Sequence, residues 1–198
     1  ARLAEDDRVY GPLSQLLAPG FIWVASDGNQ YVGDTAWHTD KRPSPGYRQI
    51  KVAFYLDPVE ANTGCLRVIP GSHRPEFHDA LRKQLMEGDR KTSQERPLES
   101  LGVEGSEIPC ALLESKPGDV VFFRQEIFHA SFGGHGGRRM FAMGIFDRPK
   151  TKDMIASVGN LYRHHRSQSD EPTVAAFFDS DRPRIRAMMA GLRDMGIE

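Results

Sequence analysis

The sequence predicts a mainly β protein, a sandwich, jelly roll or barrel of short strands with a few flanking helices. Three observations carry this. Short runs rich in β-branched and aromatic residues recur along the chain, sharp turn signals close them, and helical periodicity is confined to a few places. With 198 residues, 39% hydrophobic and 27% charged, the chain has the size and composition of one folded domain.

The elements follow in order. Phe21 to Val24, the turn residues Asp27-Gly28-Asn29, and Gln30 to Val32 read as a β-hairpin. From Gln49 to Leu56 the pattern alternates: Ile50, Val52, Phe54 and Leu56 on one face, Gln49, Lys51, Ala53 and Tyr55 on the other. Cys65 to Ile69 is a short strand closed by Pro70-Gly71-Ser72. Lys116-Pro117-Gly118-Asp119 fits a type II turn, with proline second and glycine third. Val120 to Phe123 follows as a buried strand, and Arg138 to Phe146 is the last. Phe77, Leu81 and Leu85 mark one amphipathic helix; Ile185, Met188, Met189 and Leu192 mark another, opened by Pro183. The polar stretch from Asp89 to Pro109 reads as an excursion from the core that acts as a lid.

Bulk properties exclude several function classes. A net charge of −1 gives no reason to expect nucleic acid as a partner. No apolar run is long enough for a membrane span, and no signal peptide is evident. Two cysteines, Cys65 and Cys110, make no disulfide framework, so a reducing, cytoplasmic setting is expected. The first residue is Ala1 rather than Met, which is compatible with a longer gene product.

Chemistry points to Trp37-His38-Thr39-Asp40. In an extended segment His38 and Asp40 project to the same side, so both can address one ion. His129, far along the chain in Phe128-His129-Ala130-Ser131, would supply a third ligand from another strand. Two imidazoles and a carboxylate make the facial triad of non-haem iron, leaving positions for a bidentate oxo-acid and for O₂. Taken singly, each of these residues is as readily a surface polar group or a satisfied core histidine. Arg138 and Arg139 open the last strand, and a buried arginine fork suits a carboxylate. Arg138 shares its predicted face with the small residues Ala142 and Gly144, which leaves room for a ligand, so Arg138 is favoured over Arg139. Gln49 and Lys51 share a strand face with Tyr55. Turned inward, they meet the oxo-acid or substrate; turned outward, they are polar surface. His73 is expected to be structural. His78, His135, His164 and His165 are expected at the surface, Trp37 behind the metal loop, and Cys65 as a small buried hydrophobe.

Together these segments resemble the phytanoyl-CoA dioxygenase-like family of Fe(II)/2-oxoglutarate-dependent oxygenases. The resemblance rests on the Trp-His-Thr-Asp string at 37–40 and the Asn-Thr-Gly-Cys-Leu-Arg-Val-Ile-Pro-Gly-Ser-His string at 62–73. It rests equally on Lys-Pro-Gly-Asp-Val-Val-Phe-Phe at 116–123, and on Phe-His-Ala-Ser at 128–131 followed by Arg138. It implies a double-stranded β-helix with flanking helices, Fe(II) held by His38, Asp40 and His129, and O₂ with 2-oxoglutarate as co-substrates. It further implies Arg138 on the distal carboxylate, aided by Ser131, and hydroxylation of an unactivated C–H in a small molecule. Residues 1–198 are expected to form one oxygenase domain: barrel core about 21–147, insert about 76–115, helical segment about 150–198. Three features depart from the family. Arg138 follows His129 closely, Thr39 stands where some members have Gln, and few residues precede His38. The alternatives are a cupin-like metalloenzyme that does not use 2-oxoglutarate, which needs no Arg138, a non-catalytic barrel that binds ligands, and a zinc hydrolase built on the same three side chains.

Overall fold

The computed structural model describes residues 2–44, 46–86, 102–167 and 177–197, with 165–167 as backbone only. The described residues form helices α1 (Arg2–Glu5), α2 (Asp7–Leu16), α3 (Pro75–Leu85), α4 (Lys152–Ser167) and α5 (Pro183–Arg193). The strands are β1 (Ile22–Tyr31), β2 (Thr35–His38), β3 (Gln49–Tyr55), β4 (Leu66–Val68), β5 (Ala111–Leu113), β6 (Val121–Arg124), β7 (His129–Ser131) and β8 (Arg138–Phe146). The strand orders are β1-β8-β3-β6 and β2-β7-β4-β5, so the fold is mainly β with flanking helices. The chain groups into two compact units: residues 1–27, 45–52 and 142–198, and residues 28–44 and 53–141.

In the first unit the stripe read from sequence is the buried face of α5: Ile185, Met188, Met189 and Leu192 are all buried. Gly191 opens the same face to Ile22, whose Cγ2 would collide with any Cβ at position 191. Helix α2 starts at Asp6, whose carboxylate accepts from the Arg8 amide at 3.0 Å. At the end of β8, the buried Asp147 carboxylate accepts from the amides of Ala18 (2.7 Å) and Arg48 (2.8 Å) and from Arg48 Nε (2.9 Å). Burial alone would push its pKa up, but these donors outweigh it and hold Asp147 below the usual carboxylate range.

The second unit contains the whole antiparallel β2-β7-β4-β5 sheet. Alternation sorts its side chains. Leu66, Val68 and Cys65 pack with Ala53, Tyr55, Val59 and Phe123 in one buried cluster; Ile69, Phe128 and Ala130 pack with Trp37 and Leu85 of α3 in another. The type II turn is present, with Gly118 at φ 104° and the Asp119 amide donating to Lys116 O at 2.9 Å.

One element is corrected. Asp27-Gly28-Asn29 is not a hairpin turn, because β1 runs unbroken from Ile22 to Tyr31. Gly28 lies inside this strand beside the Phe141 ring, 3.9 Å from where its Cβ would be, an ordinary packing contact. Much of the proposed lid, 87–101, lies outside the described residues. Its described end packs back on the sheet, with Trp37 Nε1 donating to Gly105 O at 2.8 Å and Arg67 Nη1 to Ser106 O at 2.9 Å. No described helix is long and apolar enough to cross a membrane.

Candidate metal centre

β2 and β7 carry the two histidines, and the loop after β2 carries Asp40. Their register pairs Thr35 with Ser131 and His38 with His129, and it shifts in between. Three steps on β2 therefore match two on β7, which is a bulge. In a regular strand Thr35 and His38 would face opposite ways; the extra residue turns His38 back to the side that holds Thr35, Ser131 and His129. Asp40 follows on a short loop fixed by its main chain, with the amides of Asp40 and Lys41 donating to Gln125 O at 3.0 and 3.1 Å.

One ligand-capable atom from each of His38, Asp40 and His129 lies within 4.8 Å of the other two. Each imidazole is oriented through Nδ1, which lies 2.8 Å from Ala36 O in His38 and 2.9 Å from Ile127 O in His129. A carbonyl only accepts, so the proton belongs on Nδ1 and each Nε2 keeps its lone pair for a metal. The Nε2 atoms stand 3.8 and 3.9 Å from the two Asp40 oxygens, too far for hydrogen bonds and suited to groups that share a cation. The donor set fits iron: two neutral nitrogens and one carboxylate on one side, with the remaining side open to other ligands. Phe123 meets the His129 ring edge-on at 5.1 Å.

At the start of β8, in the other sheet, Arg138 is buried whereas Arg139 is exposed. Arg139 forks onto the Asp57 carboxylate at 2.7 and 3.1 Å, and this pair holds Asp57 down at about 2. Arg138 Nη1 donates to Gly33 O at 3.1 Å, and its guanidinium sits 5.5 Å from the Tyr31 ring centre. Ser131 Oγ donates to Gly64 O at 2.8 Å. Tyr55 is pushed up to about 12, chiefly by burial, with Arg138 pulling the other way.

Of the residues singled out in sequence, His38, Asp40 and His129 come together, and Arg138 and Ser131 lie in the same unit. Gln49 and Lys51 belong to the first unit, Gln49 buried and Lys51 half-buried. His78 is not a surface residue: it is fully buried on α3, its ring 5.2 Å from that of Phe128. His135 and His164 are exposed as expected, and the His165 side chain is outside the described residues. Three supports were not read from sequence. The Gln125 carbonyl acts through main chain, which carries no sequence signal. Ser72 Oγ accepts from the Phe128 amide at 2.8 Å, one residue before His129, and its place in Pro-Gly-Ser-His was the available signal. The glycines around Arg138 were signalled by the Gly-Gly-His-Gly-Gly run at 133–137.

A mainly β protein that brings two histidines and an aspartate within 4.8 Å has the donor set of a mononuclear metal site. The phytanoyl-CoA dioxygenase (PhyH) family matches residues 17–140, more than half of the chain. The chain belongs to that family of Fe(II)/2-oxoglutarate-dependent oxygenases. Among solved structures it is similar to HygX from Streptomyces hygroscopicus with nickel and 2-oxoglutarate bound: TM-score 0.56, 18% identity, over 76% of this chain and 66% of that one. It is similar to EctD from S. alaskensis with 2-oxoglutarate and 5-hydroxyectoine: TM-score 0.50, 23% identity, 74% and 51% covered. A third is SnoN, a non-heme alpha ketoglutarate dependent epimerase from nogalamycin biosynthesis: TM-score 0.50, 18% identity, 74% and 57% covered. At these identities the likeness is one of fold. The chain spans between 32% and 66% of the length of the solved proteins it matches. No curated protein gives a significant sequence match.

Proposed function

We propose that this chain is an Fe(II)- and 2-oxoglutarate-dependent dioxygenase that hydroxylates an unactivated C–H of a small organic substrate. His38, Asp40 and His129 hold the iron; Arg138, with Ser131 beside it, takes the distal carboxylate of 2-oxoglutarate. The observation that carries this is the convergence of two imidazole nitrogens and a carboxylate within 4.8 Å, in a unit that also buries Arg138 against Gly33 and Thr35 of the loop and strand leading to His38. Bound iron with 2-oxoglutarate and O₂ supplies the oxidising power, and the oxo-acid leaves as succinate and CO₂. The protein's own residues position and exclude water. Gln125 O fixes the Asp40 loop, Ile127 O and Ala36 O fix the rings, and Phe123 walls one side of His129. Three strands that continue from one compact unit into the other support reading residues 1–198 as a single oxygenase domain. The free thiols Cys65 and Cys110 suit a reducing, cytoplasmic setting.

With Asp40 as one of the residues that would hold iron, a bound iron would be set up for hydroxylation rather than halogenation. Epimerisation is a second outcome on this scaffold, favoured by the likeness to SnoN, a non-heme alpha ketoglutarate dependent epimerase. Substrate placement decides between them.

The test is anaerobic addition of Fe(II) and 2-oxoglutarate to metal-free protein, followed through the weak visible charge-transfer band. The band is expected in the wild type and expected to fade in Asp40→Ala and Arg138→Ala. A folded, iron-loaded wild type without the band would favour a cupin-like metalloenzyme that does not use 2-oxoglutarate.

A further inference from the structure

The β2–β7 ladder orders the site by distance. His38 faces His129 at one end, Thr35 faces Ser131 next, and the Gly33 amide donates to Gly134 O at 2.9 Å beyond them. The Arg138 guanidinium sits at the far rungs: Nη1 bonds Gly33 O, and Nη2 lies 3.5 Å from Thr35 Oγ1. Glycines wall it in. A Cβ on Gly134 would collide with Nη1 and come within 2.6 Å of Gly33 O. A Cβ on Gly64 would lie 2.9 Å from Nη1 and 3.1 Å from both Cδ and Cζ. Neither position tolerates so much as a methyl group with the guanidinium where it is. The turn that supplies Gly134 is itself pinned, with the Gly133 amide donating to Asp34 Oδ1 at 2.7 Å and the Gly137 amide to Gly134 O at 3.2 Å.

We propose that Gly134 is the floor of a glycine cradle that sets how far Arg138 stands from the His38–Asp40–His129 centre, and so selects the length of the oxo-diacid bound between them. Gly64 forms its side wall. This rests on the reading of Arg138 as the carboxylate anchor. With hydrogen at position 134 the guanidinium withdraws to the Gly33 rung, leaving a span that takes the five-carbon 2-oxoglutarate. A methyl there drives the guanidinium toward the Thr35–Ser131 rung, shortening the span by part of a strand residue, about 3.3 Å. Gly134 is the floor to alter, because it lacks the positive φ of Gly64 (+94°); a methyl there also presses on Gly33 O, so Arg138→Lys is measured beside it. Gly134, Asp34 and Gly64 are positioning residues that act through Arg138.

The experiment measures binding rather than turnover. Anaerobic Fe(II) protein is titrated with oxaloacetate, 2-oxoglutarate and 2-oxoadipate, following the charge-transfer band, and Co(II) affinity is measured alongside. Wild type is expected to bind 2-oxoglutarate best. Gly134→Ala is expected to shift the ratio of affinities toward oxaloacetate by about tenfold, with Co(II) affinity unchanged. Arg138→Lys moves the cation the other way without crowding the turn, and is expected to shift the ratio toward 2-oxoadipate; it carries the test if Gly134→Ala fails to fold. Equal weakening of all three oxo-acids by the folded variants, with Co(II) affinity intact, would overturn the cradle as a ruler and leave the anchor standing. No band with any oxo-acid in wild type would remove the anchor, and the ruler with it.

Discussion

Asp147 and Asp40 are two carboxylates at strand ends, one in each compact unit, and they are treated in opposite ways. Asp147 is buried and collects donors: the amides of Ala18 and Arg48 and the Arg48 guanidinium. Asp40 is half-exposed, with two imidazoles at 3.8 and 3.9 Å whose Nδ1 atoms are turned to backbone carbonyls, and with the neighbouring Lys41 ammonium in electrostatic reach. Hydrogen-bond donors complete the first carboxylate, so it serves the fold. The second is held by its main chain between two imidazoles, an arrangement that suits a shared cation.

The largest effect that would break this contrast is on metal affinity. Asp40→Ala is expected to weaken Co(II) binding by at least about a hundredfold while leaving the melting temperature of the metal-free protein nearly unchanged. Isothermal titration and a thermal melt read the two halves. Asp147→Ala should do the reverse, lowering stability by about 2 kcal/mol in urea denaturation, since buried amides lose their acceptor, with Co(II) affinity retained. Equal loss of both properties in either variant would dissolve the distinction.

Acid sharpens it. The folded-state pKa of Asp147 is lowered, so its contribution is fully present above the unfolded value near 3.9 and is lost as pH falls through the lower folded value. Wild type and Asp147→Asn are therefore expected to converge in stability as pH drops below about 4. Ser72→Ala tests the site's support from behind: an orphaned Phe128 amide should cost about 1–2 kcal/mol and loosen His129, seen as weaker Co(II) binding. The smallest effect belongs to Arg139→Ala. Its pair with Asp57 is exposed, so 2-oxoglutarate affinity should match wild type, whereas Arg138→Ala abolishes it.

Much of this was legible in sequence because period and turn chemistry are local. Arg138 to Phe146 emerged with the predicted bounds, β3 and α5 nearly so, and Pro117-Gly118 made the expected turn. The parity argument that put Arg138 on the roomy face agrees with its burial. What failed was decided at long range. Asp27-Gly28-Asn29 has hairpin chemistry, yet the strand continues because β1 pairs along β8, a partner far off in sequence. His78 looks like a surface histidine on a polar helix until α3 docks and Phe128 meets its ring. The first two helices passed without notice, since their apolar spacing is sparse, whereas α4 falls in the helical segment expected over about 150–198. Within the site, the side chains were readable and the main-chain supports were not, because any residue at position 125 offers the same carbonyl.

The bulge in β2 makes counting part of the chemistry. Between Thr35 and His38 the strand holds one residue more than its partner, and that surplus decides which of two neighbours looks inward. An even ladder with all four residues kept would exchange their places: the indole of Trp37, now tied to Gly105 O, would take the side of Thr35, and the imidazole of His38 would leave it. Losing the bulge while keeping every proposed ligand would thereby erase the centre.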